Sequence, residues 1–232
     1  LTTNNLLGVV FITPDGAEVR LGGKAGAQGG LDLLGLITGS EGLLGTVVEI
    51  TVKILRKPPV TRTLLASFDT VPKAGAAVAA IIADGILPAA MEFMDRLCAE
   101  AVEAYNQPGY PPGAAAILII DADGVEADVT DTMQRLVAVV ARVGGTSLEA
   151  TDEAQRARMW SGRKAAFAAM GRIQPDMICM DGTIPRKALP EVLDGLAKLS
   201  EHYGLGCSNV FHAGDGNLHP LILFDQTKPG EF

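Results

Sequence analysis

Two of the three histidines in this 232-residue chain stand seven positions apart, in the stretch Phe211-His212-Ala213-Gly214-Asp215-Gly216-Asn217-Leu218-His219-Pro220. Imidazole nitrogens ligate divalent metals and move protons near neutral pH. On one straight strand, positions i and i+7 point to opposite faces, and Gly214 and Gly216 argue against a helix that would align them. A hairpin brings them together. Asp-Gly is a favoured two-residue hairpin loop because both positions need positive φ. With Asp215-Gly216 as the loop, His212 pairs with His219, and a four-residue loop over 214–217 gives the same pair. Directly opposed side chains have Cβ atoms roughly 4.5–5.5 Å apart, so two imidazoles there reach one ion at about 2.0–2.1 Å each. A third ligand has to come from elsewhere in the chain. From the residues alone, a polar hairpin with surface or hydrogen-bonded histidines competes with the metal site on equal terms.

Three other stretches carry polar groups that a ligand would use. In Arg158-Met-Trp-Ser-Gly-Arg-Lys164, Arg158, Arg163 and Lys164 sit beside the single tryptophan, Trp160, in an otherwise apolar helix. Arg158 and Arg163 are five positions apart and do not share a helix face, so one of them can point inward and act as a carboxylate clamp through its planar fork. A solvated helix face is the plainer alternative. In residues 180–191, Asp181, Arg186 and Lys187 surround a turn that Asp181 is expected to fix and Thr183 to cap. The run Gly39-Ser40-Glu41-Gly42-Leu43-Leu44-Gly45 lies between a helix-like segment and a long strand. Its glycines let a backbone approach a ligand and expose N–H groups, although it matches neither a dinucleotide fingerprint nor a P-loop, and a plain loop accounts for it as well.

The elements that must position these groups read clearly from pattern. Leu6 to Leu21 is a hairpin around Pro14-Asp15-Gly16. Residues 46–55 alternate with period two and form a strand; Lys57-Pro58-Pro59 then marks a domain boundary. We therefore expect one domain over 1–58 and a second over 59–232. Within the second, strands are expected near 63–68, 89–94, 114–120, 147–150, 177–180, 208–212 and 218–224. Helices are expected over 72–83, about 95–105, 125–143, 152–170 and 189–199. The 125–143 helix should bury Val125, Val129, Leu136, Val137, Val140 and Val143 and stop at Gly144-Gly145. This order suits an α+β fold, an antiparallel sheet with helices on one face, built from ferredoxin-like β-α-β units.

Composition excludes several functions. Hydrophobic residues make up 48% and charged residues 20%, which a packed core explains and disorder does not. A net charge of −8 gives no general attraction for nucleic acid or anionic membrane. No apolar run reaches the roughly 18 residues of a membrane span, and no signal peptide is visible. Cys98, Cys179 and Cys207 are scattered without a CxxC pair, which points to free thiols in a reducing, cytoplasmic compartment rather than to structural zinc or an iron–sulfur cluster. The chain begins at Leu1 within a strand-like run and ends at Phe232 without a helix stop, and we read both ends as cut.

Taken together, these pieces resemble one family. Gly39 to Leu55 is similar to the end of the FAD-binding domain of vanillyl-alcohol-oxidase type flavoproteins. The rest of the chain, with Met91-Glu-Phe-Met-Asp95, Trp160-x-x-Arg163, Met180-Asp-Gly-Thr-Ile-Pro-Arg186 and His212-Ala-Gly-Asp-Gly-Asn-Leu-His219, resembles their FAD-linked oxidase C-terminal domain, with the glycolate oxidase type nearest. FAD-linked D-lactate and D-2-hydroxyglutarate dehydrogenases are near relatives. The resemblance implies oxidation of a small 2-hydroxy acid with hydride passing to FAD. It implies a divalent metal such as zinc on His212 and His219, acting on the substrate as a Lewis acid. It further implies that Arg163 clamps the substrate carboxylate and that Asn217 lies near flavin or substrate. Gly39, Ser40, Glu41, Gly42, Gly45 and Val47 would face FAD through their backbone. Residues 1–58 would then be the C-terminal remnant of an FAD-binding α+β domain. A separate FAD-domain segment and an iron–sulfur subunit are the implied partners, and the location is cytoplasmic, either free or peripheral at the inner membrane. The pyrophosphate loop and the downstream Glu-His pair of the family, which supplies a third metal ligand and a base, have no counterpart here, so these 232 residues alone are expected neither to hold FAD tightly nor to turn over. A non-enzymatic α+β module binding metal or a small ligand is the competing reading.

Overall fold

The computed structural model describes residues 2–25 and 30–232. Residues 26–29, within the glycine-rich run that follows the first hairpin, lie outside it. The chain divides into two compact units, Leu1–Lys57 and Pro58–Phe232. No helix among the described residues is long and apolar enough to cross a membrane.

In the first unit, β1 (Leu6–Ile12) and β2 (Glu18–Gly22) form the expected hairpin, with Gly16 at φ +85° in the turn. A short helix α1 (Leu33–Ile37) starts where the Asp32 carboxylate accepts from Gly35 N at 2.8 Å, a standard N-cap. The strand β3 (Thr46–Val52) pairs with β1, giving the order β2-β1-β3. Its core is small: Val9, Phe11 and Ile37 are the buried members.

The second unit runs β4 (Val60–Phe68), α2 (Val71–Ala83), β5 (Ala90–Asp95), α3 (Arg96–Asn106), β6 (Ala116–Gly124), α4 (Glu126–Arg142) and β7 (Thr146–Glu149). Then follow α5 (Glu153–Met170), β8 (Asp176–Cys179), β9 (Gly182–Thr183), α6 (Leu189–Tyr203), β10 (Gly206–His212), β11 (Asn217–Leu218) and β12 (Pro220–Phe224). The first four strands lie in the order β7-β4-β6-β5, each antiparallel to its neighbours, which is the split β-α-β arrangement of ferredoxin-like folds. The sheet continues through β10, β11 and β9, with β12 pairing β10 and β8.

The α+β class and the antiparallel sheet are as expected, but the helices cover both faces rather than one. Leu64, Ala66, Leu118 and Ile120 pack with α2, α4 and α6, while Leu65, Ile117 and Ile119 pack with α3 and α5. The physical reason is legible in β6, where Ala116 to Ile120 are all fully buried; a strand covered on both faces reads as a continuous apolar run instead of an alternation. Helix α4 also turns by one position from the expected face. It buries Val129, Met133, Leu136, Val139 and Val140, while Val125 and Val137 are exposed. Two side-chain caps place the helices that matter below. Asp95 accepts from Cys98 N at 3.0 Å to start α3, and Asp152 from Gln155 N at 2.7 Å to start α5.

Candidate functional site

The histidine hairpin forms, with a different register. His212 pairs with Asn217, and Asn209 with Pro220, so the loop is Ala213 to Gly216 and His219 is two positions out of line with His212. The expected direct His212–His219 pairing is therefore wrong. A slip of two residues keeps every side chain on its own face of the sheet, whereas a slip of one would have separated the pair. The two imidazoles become diagonal neighbours, still within reach of long side chains, and their ring centroids lie 5.3 Å apart at an interplanar angle of 85°. The loop is held by the sheet and by its neighbour. Gly214 N donates to Met91 O at 3.1 Å, Ile184 N donates to Gly216 O at 2.9 Å, and Arg186 Nη1 donates to Gly214 O at 2.8 Å. Gly216 has φ +71°, and a Cβ there would come within 2.3 Å of Ile184 O, so only glycine fits.

β10 lies antiparallel to β5 with His212 opposite Glu92. The slide between these strands is fixed three residues further along β5 by Asp95, whose carboxylate accepts from Ser208 Oγ at 2.9 Å and from Asn209 N and Nδ2. Burial pushes the Asp95 carboxyl up, against these donors and Cys98 N, which hold it down. At the site itself, Glu92 Oε1 lies 2.7 Å from His212 Nδ1, and Glu92 Oε2 accepts from Arg163 Nε at 2.9 Å. Glu92 and Arg163 are almost buried, at 10% and 12% side-chain exposure, while His212 is open at 44%. Arg163 is thus the inward arginine of α5, and Arg158 is the exposed one. Arg163 does not stand free as a clamp, because its Nε edge is already taken.

The position of α5 explains how a helix arginine reaches a strand carboxylate. Tyr110 Oη donates to Met159 O at 2.6 Å, and a Cβ at position 162 would fall 2.2 Å from that same hydroxyl. Gly162 lets the helix approach the 108–113 loop. Arg156, Trp160 and Arg163, at spacing i, i+4 and i+7, then share one face toward the sheet. Arg156 Nη2 and Trp160 Nε1 both donate to Asp121, at 2.9 and 3.0 Å, and the Thr63 hydroxyl donates to the same carboxylate.

On the other side of the histidine pair, His219 Nδ1 is 3.6 Å from Asp181 Oδ1. The Asn217 amide nitrogen faces Asp181 Oδ1 at 2.8 Å and Gly182 O at 3.2 Å, tying β11 to β9. Thr183 is in β9 and caps nothing; the 3-10 turn Arg186–Ala188 has no side-chain cap. His212 thus presents Nδ1 to a carboxylate at hydrogen-bond distance, which leaves its Nε2 lone pair free, while His219 Nδ1 has Asp181 near it but beyond hydrogen-bond reach. The His212 arrangement is the one metal-bound histidines adopt, with the second ring nitrogen held by an acid, and it fits a divalent ion. Among the described residues no cluster of three or more His, Cys, Asp or Glu is placed to hold one. A cavity of about 220 Å³ adjoins Glu92, His212, Arg186 and Asp215. It is smaller than the roughly 300–1,000 Å³ of pockets for drug-sized ligands and matches a molecule of a few heavy atoms.

In the first unit, Gly39 and Gly42 have φ of +83° and +82°, and nothing lies within 4 Å of the Cβ position of either. The N–H groups of Ser40, Leu43 and Gly45 close local turns, while those of Glu41, Gly42 and Leu44 make no hydrogen bond among the described residues. An open backbone with free donors fits a bound cofactor. Gly45 has a second reason to be glycine, since a Cβ there would meet Ile12 O at 2.5 Å. Val47 is exposed on β3.

Sequence reasoning missed Glu92 as a site residue. The signal was present: one carboxylate amid Ala90, Met91, Phe93 and Met94 in a strand, a setting in which a buried charge needs partners.

The family described as FAD linked oxidases, C-terminal domain, matches residues 57–231. The chain is 56% identical over 233 residues to glycolate oxidase subunit GlcD of Escherichia coli K12, covering 100% of this chain and 47% of that protein. It is 33% identical to glycolate oxidase subunit GlcD of Bacillus subtilis, covering 97% of this chain and 48% of that one. The chain thus spans about half the length of these curated relatives. Among solved structures, p-cresol methylhydroxylase with substrate bound matches with a TM-score of 0.72 at 14% identity, over 98% of this chain and 53% of that one. This last likeness is one of fold.

Proposed function

We propose, from the premise that this chain belongs to the family of FAD-linked oxidase C-terminal domains, that it is the substrate- and metal-binding part of an FAD-dependent enzyme that oxidises a small 2-hydroxy acid, glycolate first. One observation carries the reading. Two neighbouring imidazoles, one of them with its Nδ1 held by a carboxylate, stand beside a buried arginine joined to that same carboxylate. In a flavoprotein of this kind, FAD supplies the hydride acceptor, and the open backbone of Gly39, Ser40, Glu41, Gly42 and Gly45, with Val47, is the part of this chain that would face it. His212 and His219 would hold a divalent ion through Nε2, where it would supply Lewis acidity toward the substrate's hydroxyl and carboxylate oxygens.

The chain's own residues do the positioning. Arg163, engaged by Glu92 through Nε, keeps its Nη atoms for a substrate carboxylate, and the fork geometry makes that contact bidentate. Asn217 anchors the hairpin through Asp181 and pairs with His212 across the strands. Because the chain covers about half of its relatives, the remaining metal ligand, the base and the rest of the flavin cradle come from other parts of the full-length protein. Partner subunits, an iron–sulfur protein among them, fit an enzyme whose relatives are named as subunits.

A panel of glycolate, D-lactate and D-2-hydroxyglutarate given to the full-length protein tests this. The expected result is turnover greatest with glycolate, at least tenfold loss on chelation, and recovery with zinc. Metal binding with no flavin and no turnover would instead support a non-enzymatic metal-binding module.

A further inference from the structure

Glu92 makes two contacts of a kind that a merely space-filling carboxylate does not. It lies on β5 among apolar neighbours and is 7% exposed as a residue. Each of its oxygens serves a different element: Oε1 meets His212 Nδ1 on β10 at 2.7 Å, and Oε2 accepts from Arg163 Nε on α5 at 2.9 Å. The strand register holds His212 directly opposite Glu92, and Asp95 locks that register from three residues away. Little in the site is free to drift relative to this carboxylate.

The two contacts have complementary consequences. On the histidine, a carboxylate at Nδ1 selects the tautomer with its lone pair at Nε2 and fixes the ring plane. On the arginine, occupation of the Nε edge by Glu92 leaves the end-on Nη edge for a second carboxylate. A metal ligand and a carboxylate clamp are thereby set at one separation by one side chain. From this geometry we infer that Glu92 is a positioning residue that couples the two halves of the site, so that an ion on His212 and a substrate carboxylate on Arg163 are held in register with each other. This inference rests on the reading of the chain as a 2-hydroxy-acid oxidase part for its second half, and on the histidine pair alone for its first.

The test uses the full-length protein and compares wild type with Glu92→Gln, Glu92→Asp and the control Glu153→Gln, which removes the outer partner of the Arg156 pair on the same helix. Zinc affinity is measured by calorimetry and glycolate kinetics at saturating zinc. Outer carboxylates on metal-bound histidines are typically worth about 10–100-fold in metal affinity. Glu92→Gln is expected to weaken zinc binding by about that factor and to raise KM for glycolate more than it lowers kcat. Glu92→Asp, which keeps the charge but reaches only one partner, should recover part of one effect and not both. Glu153→Gln should match wild type. A Glu92→Gln protein with wild-type zinc affinity and KM but a lowered melting temperature would overturn the coupling and make Glu92 a structural anchor. If wild type binds zinc with the expected loss in Glu92→Gln yet oxidises none of the acids, the positioning of His212 stands and the proposed substrate class falls. If wild type binds no zinc, both fall.

Discussion

Glu92 and Asp121 invite comparison because the sequence and the sheet treat them alike. Each is the buried carboxylate of an apolar stretch, on adjacent strands β5 and β6. Ala90 pairs with Asp121 and Glu92 with Ile119, so both side chains emerge on the same face, one diagonal step apart. Each answers an arginine of α5, Arg163 or Arg156, seven residues apart on that helix. The rest of their surroundings differ. Asp121 is closed: Thr63, Arg156 and Trp160 use its oxygens, and its pairing raises the Arg156 guanidinium above its ordinary range. Glu92 gives its second oxygen to His212, which is nearly half exposed and backs onto a second imidazole. A buried acid whose partners are all structural is a joint; one whose partner opens toward solvent beside another titratable group is a candidate for chemistry.

That contrast can be broken by removing the joint. Asp121→Ala leaves Arg156 and Trp160 without their acceptor and is expected to cost about 3 kcal/mol of stability, near the low end for breaking a buried pair because Arg156 keeps some solvent access. Urea unfolding measures it, and zinc affinity should stay at the wild-type value because the histidine contacts are untouched. Equal loss of zinc binding would mean that the two carboxylates work as one network. A smaller change sharpens the same point. Thr63→Val removes one neutral donor from Asp121 and is expected to cost roughly 1 kcal/mol in the same unfolding measurement, with no change in zinc affinity.

Much of this was legible in the sequence, for reasons that differ by residue. The Gly-Asp-Gly-Asn segment announced a hairpin because those residues tolerate positive φ, and the face shared by His212 and His219 followed from strand parity. The register did not follow, since moving the loop by one residue, to 213–216, shifts the pairing by two and keeps the same parity, and contacts from Ile184, Arg186 and Asp95, far away in sequence, hold the register that forms. Arg158 and Arg163 were both candidates in an apolar helix and only the family resemblance chose Arg163, whose partner could not be read because it arrives from a strand 71 residues earlier. Helices on one face were expected and both faces are covered; the signal that was passed over is Ala116 to Ile120, a run with no polar alternation. The face of α4 was misjudged where valines at 125 and 137 imitated a buried stripe that Met133 and Val139 complete.

The central claim is that the His212 imidazole belongs to the oxidation of a 2-hydroxy acid and is not a surface residue of a polar hairpin. Its most direct test is anaerobic mixing of glycolate with the full-length, zinc-loaded protein, following loss of the oxidised flavin absorbance in wild type and His212→Ala. The account predicts prompt bleaching in wild type and a rate at least 100-fold lower in the variant, equivalent to about 2.7 kcal/mol of lost transition-state stabilisation, with flavin content unchanged. Equal bleaching rates in the two proteins would contradict it.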